Sequence, residues 1–136
     1  MANWIGTART NYFRVKDVAA FKTWAAGAGL GVFERDGRYG LYSEVEHGAW
    51  PANVLDAAAI DNDRAFDLVP ELNPHVGEGE IVVCIEAGAE NIRYITGEAI
   101  AFKASAGRPD KITVTLDDIY ELAHALWGER PALAEF

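Results

Sequence analysis

The chain has 136 residues, half of them hydrophobic and 11% aromatic, and carries a formal net charge of −9. This length predicts one domain, residues 1–136, with a core large enough to fold without disulfides or metals. The single cysteine excludes an intramolecular disulfide and any zinc site that needs two thiolates. No stretch reaches the ~18 apolar residues of a membrane helix, and the N-terminus lacks a signal-peptide pattern, so we expect a cytoplasmic protein.

The N-terminal part of the chain predicts a strand followed by a helix. Residues 1–9 show no period and are expected to form a loose lead-in, whereas residues 11–15 alternate as a short strand does. Asp17 is a suitable N-cap, because its carboxylate can accept the free amides of the first helical turn. Gly27 and Gly29 are expected to end the helix. Its apolar stripe is Val18, Phe21, Trp24 and Ala25.

Residues 30–45 predict a β-hairpin. Asp36 and Gly37 form its turn, because a two-residue type I′ turn requires positive φ at both central positions. The turn fixes the register of the two strands, so every cross-strand pair follows from it. The predicted pairs are Arg35 with Arg38, Glu34 with Tyr39, and Val32 with Leu41.

Residues 46–64 interrupt this pattern. We interpret them as a long loop with one short helical turn near residues 55–60, and loops of that length are often functional. Residues 66–76 predict a short strand or helix. In the helical alternative, Pro70 lies in the first turn and the helix ends at Pro74.

Residues 80–127 are the most regular part of the sequence and predict three strands followed by a helix. Within residues 81–85 both faces are apolar, which favours a central strand covered on both sides. Gly97 inside the second strand suggests a bulge or a bend. Thr115 or Asp117 is the expected helix cap. The stripe expected to be buried is Ile119, Leu122, Ala123 and Leu126.

These elements together predict an α+β fold. Its sheet is expected to be mostly antiparallel and to contain the N-terminal strand, the hairpin and the three-strand meander. Two main helices are expected to pack on one face of that sheet.

The sequence contains no constellation typical of an active site. His47, His75 and His124 lack the spacing that places two metal ligands on one helix face. Cys84, within V-V-C-I, is expected to be buried and inert. No serine lies in a nucleophile turn, and the glycines near residue 29 lack the lysine of a phosphate loop. We therefore assign no catalytic residue, no metal and no cofactor, and favour binding over catalysis.

The negative charge is concentrated in the middle of the chain. Residues 44–98 hold twelve of the 21 acidic residues and only two of the 12 basic ones. This balance disfavours direct nucleic-acid binding and anionic membranes, and favours a basic protein or a nucleic-acid-binding protein complex as partner. Trp50 is a candidate aromatic anchor, the alternative being a loop tryptophan that covers the core. The predicted partner-binding residues are Glu44, Glu46, Trp50, Asp56, Asp61, Asp63, Asp67 and Glu71.

Three segments carry a resemblance to known proteins. They are N-Y-F-R-V-K-D, E-N-I-R-Y-I-T-G-E-A-I-A and T-L-D-D-I-Y-E-L-A. With them the chain resembles a family of small uncharacterised proteins of plasmids, integrative elements and phages. The setting of that family includes acidic antirestriction and anti-CRISPR inhibitors, some of which mimic DNA. The resemblance implies that genetic setting and not a mechanism. Together with the acidic segment, it leads us to expect an inhibitor of a host nucleic-acid-handling complex.

Other functions are compatible with the same residues. One alternative is a small enzyme with a site made of carboxylates or of His47. Another is a homodimeric structural module that pairs through a sheet edge or the C-terminal tail. A third is an acidic surface that only aids solubility.

Overall fold

The protein, represented by a computed structural model, is built on one six-stranded antiparallel sheet. The structure describes residues 5–44, 48–51, 67–90 and 94–134. The strands are β1 (Ile5–Thr10), β2 (Leu30–Arg35), β3 (Arg38–Ser43), β4 (Ile81–Glu90), β5 (Tyr94–Lys103) and β6 (Lys111–Thr115). The helices are α1 (Val18–Gly27), α2 (Leu68–Leu72) and α3 (Asp118–Trp127).

The α+β class and the mostly antiparallel sheet are confirmed. The strands lie in the order β2-β3-β1-β4-β5-β6, so the first strand of the chain separates the hairpin from the meander. The hairpin has the predicted register, with Arg35 opposite Arg38. Its turn residues have φ of 53° at Asp36 and 77° at Gly37, as a type I′ turn requires.

The lead-in predicted for residues 1–9 is wrong for its described part, because β1 begins at Ile5. The residues that β1 turns toward the core include Ala8 and Thr10, which are 2% and 1% exposed. Such small or polar side chains produce no hydrophobic alternation, so the strand has no signal in the sequence. The strand predicted at residues 11–15 is reduced to isolated bridges at Phe13 and Val15.

Two adjacent residues at the end of β1 connect the two halves of the sheet. The Thr10 hydroxyl accepts a buried hydrogen bond from the Leu41 N–H of β3 at 2.9 Å. The Asn11 amide oxygen accepts from the Val83 N–H of β4 at 2.9 Å, and its amide nitrogen donates to the Ile81 carbonyl at 3.1 Å. These side chains take the place of ladder bonds where β1 ends, so the amides of Leu41 and Val83 keep a hydrogen-bond partner there.

One face of the sheet carries the hydrophobic core. Helix α1 begins at the predicted cap, where the Asp17 carboxylate accepts from the Ala20 N–H at 3.1 Å, and it packs its Phe21 and Ala25 side chains onto this face. The short helix α2 contains Pro70 in its first turn, as the helical alternative predicts, but it ends at Leu72 and not at Pro74, and a 3₁₀ turn (Asn73–His75) follows. The largest fully buried side chains are Phe13, Phe21, Phe102, Leu41, Leu72, Val76, Val82, Thr10 and Cys84.

In the part of the chain that the structure describes, the opposite face of the sheet is uncovered over the meander. Strand β4 was expected to be covered on both sides, but Ile81 and Ile85 are 58% and 48% exposed. The bulge expected at Gly97 is also absent, since Gly97 pairs in register with Ala87. The lack of a side chain at Gly97 instead admits Leu116, whose Cγ would lie 2.9 Å from an added Cβ.

The packing of a second main helix on the core face is not confirmed. Helix α3 begins after a turn in which the Asp118 carboxylate accepts from the Thr115 N–H at 2.6 Å. Gly128 ends it with φ of 76°. Of the stripe expected to be buried, only Ala123 is buried.

Replacing Thr10 tests the connection between the two halves of the sheet. In Thr10→Val the buried Leu41 N–H loses its acceptor, which should lower the free energy of unfolding by about 1–3 kcal/mol. Urea titration measures this change. The matched control is Thr7→Val on the exposed side of β1, which should change the free energy of unfolding by less than ~0.5 kcal/mol. If Thr10→Val and Thr7→Val lower the free energy of unfolding equally, the Thr10 hydroxyl does not stabilise the connection between the two halves of the sheet.

Candidate functional site

The structure describes half of the predicted partner-binding residues. These are Glu44, Trp50, Asp67 and Glu71. The other four lie outside the described residues, and their placement stays a prediction. They are Glu46, Asp56, Asp61 and Asp63.

Glu44 follows β3 and lies beside an exposed aromatic ring. Its backbone N–H donates to the Gly29 carbonyl at 3.1 Å, and its carboxylate accepts from the Tyr42 hydroxyl at 3.2 Å. The hydrogen bond to Glu44, followed by its negative charge, raises the pKa of Tyr42. The two side chains therefore form a small acidic and aromatic surface at the end of the hairpin.

Trp50 packs against the core and is half-buried. Its backbone N–H donates to the Glu86 carboxylate of β4 at 2.8 Å. The Ser43 hydroxyl also donates to the Ala49 carbonyl, which brings the segment before Trp50 next to the segment before Glu44. This setting supports a structural role for Trp50 as a cover of the core, and it places Trp50 near Glu44.

Asp67 and Glu71 lie at the start of α2. Asp67 is the N-cap residue, and the Glu71 carboxylate accepts from the Asp67 N–H at 3.2 Å. A carboxylate in this position satisfies a free amide and interacts favourably with the helix dipole. Glu71 therefore has a structural role, while Asp67 is exposed directly after residues 52–66.

The sequence interpretation missed an aromatic cluster on the uncovered face of the sheet. The Phe33 and Tyr42 rings are stacked with centroids 6.2 Å apart, and the Arg9 guanidinium lies 4.7 Å from the Phe33 centroid. The rings cover Gly40 and Gly31, where an added Cβ would lie 2.1 Å from ring carbons. The predicted hairpin register already pairs each ring with a glycine, so this signal was present in the sequence.

Cys84 and His75, for which we expect no catalytic role, pack against neighbouring side chains of the protein. Cys84 is buried as expected, and burial raises the pKa of its thiol to about 12. His75 stacks on Trp24 with centroids 5.0 Å apart. Burial lowers the pKa of His75, against the opposing charge of Asp17. Within the described ranges, no group of three or more His, Cys, Asp or Glu side chains is placed to hold a metal ion.

None of the helices in the described part of the chain is long and apolar enough to span a membrane.

Comparisons with known proteins assign no family to the chain. Comparison of the chain with family models, with curated proteins and with solved structures gives no match. The resemblance to mobile-element proteins therefore stays a prediction.

The Cys84 thiol should be inert to alkylation in the folded protein. A thiol with a pKa of about 12 is almost entirely protonated at pH 8, and the thiolate is the reactive form. We expect labelling by an iodoacetamide reagent to be at least ~100-fold slower than that of a Cys84→Ala, Thr113→Cys control, whose thiol lies on the exposed strand β6. Labelling of native Cys84 at the control rate would instead support a nucleophilic enzyme.

His75 should make the protein less stable as the pH falls below about 6.5. Its pKa is lower in the folded than in the unfolded chain, so the unfolded chain binds more protons in the window between the two values. Stability is thus lost as the pH falls from above 6.5 through the folded pKa. In His75→Phe, which keeps a ring against Trp24, thermal unfolding should lose this component of its pH dependence. If the wild-type protein and His75→Phe show the same pH dependence of thermal unfolding, His75 does not contribute to it.

Proposed function

We propose that the protein acts in the cytoplasm by binding a basic protein through its acidic middle segment, residues 44–98. The observation that carries this proposal is the segregation of charge, since only two of the 12 basic residues fall in that segment. A surface of one sign attracts an oppositely charged partner over distance and raises its association rate. It also repels nucleic acid, so the partner is a protein and not DNA or RNA.

The described part of this segment supports a binding role. Glu44 and the exposed Tyr42 ring combine a fixed carboxylate with apolar area, and Trp50 lies close by. Aromatic side chains next to charges are common at protein interfaces, where the ring contributes contact area and the charge sets orientation. Asp67 extends the acidic character to the start of α2.

The class of partner follows from the charge and from the resemblance to mobile-element proteins. Carboxylates spaced along an irregular segment can present a potential similar to that of a phosphate backbone. We therefore propose an inhibitor of the anti-CRISPR or antirestriction kind, which occupies the nucleic-acid site of a host complex. The predicted contact residues stay Glu44, Glu46, Trp50, Asp56, Asp61, Asp63, Asp67 and Glu71.

An enzyme is the weaker alternative. It would use His47 or carboxylates of residues 46–63, whereas the described thiol is buried and the described His75 is stacked on a tryptophan. Carboxylate chemistry would need two acids with separated pKa values in one cleft.

Capture of basic proteins from a bacterial lysate at increasing salt tests the proposed function. We expect captured protein to fall at least ~10-fold between 50 and 300 mM NaCl, because screening weakens attraction between surface charges. Asp61→Lys combined with Asp63→Lys should abolish capture. The control, Glu34→Lys, reverses an exposed charge outside the segment and should leave capture unchanged.

A competition experiment then tests the partner class. Duplex DNA added to the captured complex should displace the protein if both occupy the same basic site, and the protein alone should not shift the duplex in a gel. Capture that is insensitive to the double charge reversal would contradict the proposed function. If the double charge reversal abolishes capture but duplex DNA does not displace the protein, the acidic surface binds the partner outside its DNA site. That result would exclude DNA mimicry.

A further inference from the structure

The sheet face opposite α1 is apolar over the meander. Register places Val83, Ala101 and Ile112 side by side on this face, and Ile85, Ala99 and Val114 in the next row. We call this surface, with Ile81, Ile95 and Leu116 at its margins, the open face. Its large aliphatic side chains are strongly exposed, Ile112 at 72% and Val114 at 53%.

Helix α3 has an apolar stripe that contacts no core. Ile119, Leu122 and Leu126 recur at helical spacing on the side of Ala123, and these three side chains are 58–72% exposed. Trp127 at the end of the helix is 73% exposed. An amphipathic helix of ten residues is stable mainly because its apolar side packs against another element. The stripe of α3 therefore needs an apolar surface to pack against.

The exposed apolar area is large enough for a stable interface. Six aliphatic side chains of the open face and four side chains of α3 together expose on the order of 1,000 Å² per chain, whereas a standard protein interface buries ~800 Å² per partner. The ten residues are Ile81, Ile85, Ile95, Ile112, Val114, Leu116, Ile119, Leu122, Leu126 and Trp127.

The turn between β6 and α3 is short and is hydrogen-bonded to the sheet. Only Leu116 and Asp117 separate the two elements. The Leu116 N–H donates to the Gly97 carbonyl at 3.0 Å, and the Asp118 carboxylate accepts from Thr115. These bonds continue the strand pairing up to the first turn of the helix, so the start of α3 is attached to the sheet edge.

The charges of the two surfaces are complementary. The charged strand residues whose register places them on the uncovered side of the described sheet are all basic. Arg9 and Lys103 lie beside the open face, opposite Ile85 and Ile81, whereas Arg35 and Arg38 lie at the hairpin turn. In contrast, residues 117–130 contain the four acidic residues Asp117, Asp118, Glu121 and Glu129 and one basic residue, Arg130, which pairs with Glu121. A helix with the properties of α3 therefore matches the open face in both hydrophobicity and charge.

We propose that two copies of the chain form a two-fold symmetric dimer in which α3 of each copy packs on the open face of the other. The stripe would occupy the shallow groove of about 190 Å³ lined by Ile85, Ala87, Gly97, Ala99, Val114 and Leu116. Each contact contains one α3 and one open face, so the two-fold axis makes two equal contacts. This proposal rests on the apolar side chains of the open face and α3 and does not depend on the proposed acidic partner surface.

Sedimentation equilibrium from 1 to 100 μM tests the dimer. The wild-type protein should have twice the 14.8 kDa mass of the chain, and its melting temperature should rise with concentration. Leu122→Glu on α3 and Val114→Lys on the open face should each weaken dimerisation at least ~30-fold, since each puts a charge into the centre of a contact. Thr113→Lys, on the other side of β6, is the matched control and should leave the dimer intact.

Mixing the two variants tests the reciprocal arrangement. An equimolar mixture of Leu122→Glu and Val114→Lys contains one unaltered contact per heterodimer, and the other contact pairs the introduced charges. The mixture should therefore dimerise even though each variant alone is monomeric. The same mixture keeps the test valid if a variant alone is poorly folded, because circular dichroism should then recover on mixing.

Three results would overturn the proposal. A wild-type monomer at 100 μM would show that α3 finds its partner elsewhere, either its own sheet or a different protein. A dimer that tolerates both substitutions would use another surface. Variants that fail to recover on mixing would indicate a contact of helix with helix or of face with face.

Discussion

The position of β1 between β3 and β4 is the constraint on which the rest of the structure depends. A hairpin and a three-strand meander become one sheet only because this strand pairs with both. Thr10 reaches β3 and Asn11 reaches β4 with side-chain hydrogen bonds where the backbone pairing is interrupted. The buried Leu41 N–H without the Thr10 hydroxyl would cost about 1–3 kcal/mol, so Thr10 stabilises the end of β1 against β3.

A joined sheet has two faces, and among the described residues the helices α1 and α2 pack on only one. On this core face, Phe21 of α1 packs with Phe13 and Phe102. The other face carries an aromatic and arginine cluster at the hairpin end and aliphatic side chains at the meander end. The proposed charge recognition relies on the carboxylates of residues 44–98, whereas the proposed self-association relies on aliphatic side chains of the meander and α3.

Local patterns predicted some elements and missed others for physical reasons. The turn at Asp36 and Gly37 determines a register through backbone geometry alone, so the hairpin was predictable. Strand β1 was not, because Ala8 and Thr10 are small or polar and their burial depends on distant strands. The apolar stripe of α3 is visible in the sequence, but such a stripe does not identify the surface against which the helix packs. For the binding site, composition identified the acidic segment, whereas the contacts of Glu71 with the α2 cap and of Glu86 with Trp50 required the fold.

Hydrogen exchange followed by mass spectrometry at two protein concentrations tests the central account most directly. Amides of β1 lie inside the sheet and should be among the slowest to exchange at both concentrations. Amides of α3 and β6 should exchange quickly in dilute protein and become protected in concentrated protein. Rapid exchange of β1, at the rate of the exposed residues 129–134, would contradict the central strand, and protection of α3 that is independent of concentration would contradict a second copy as its partner.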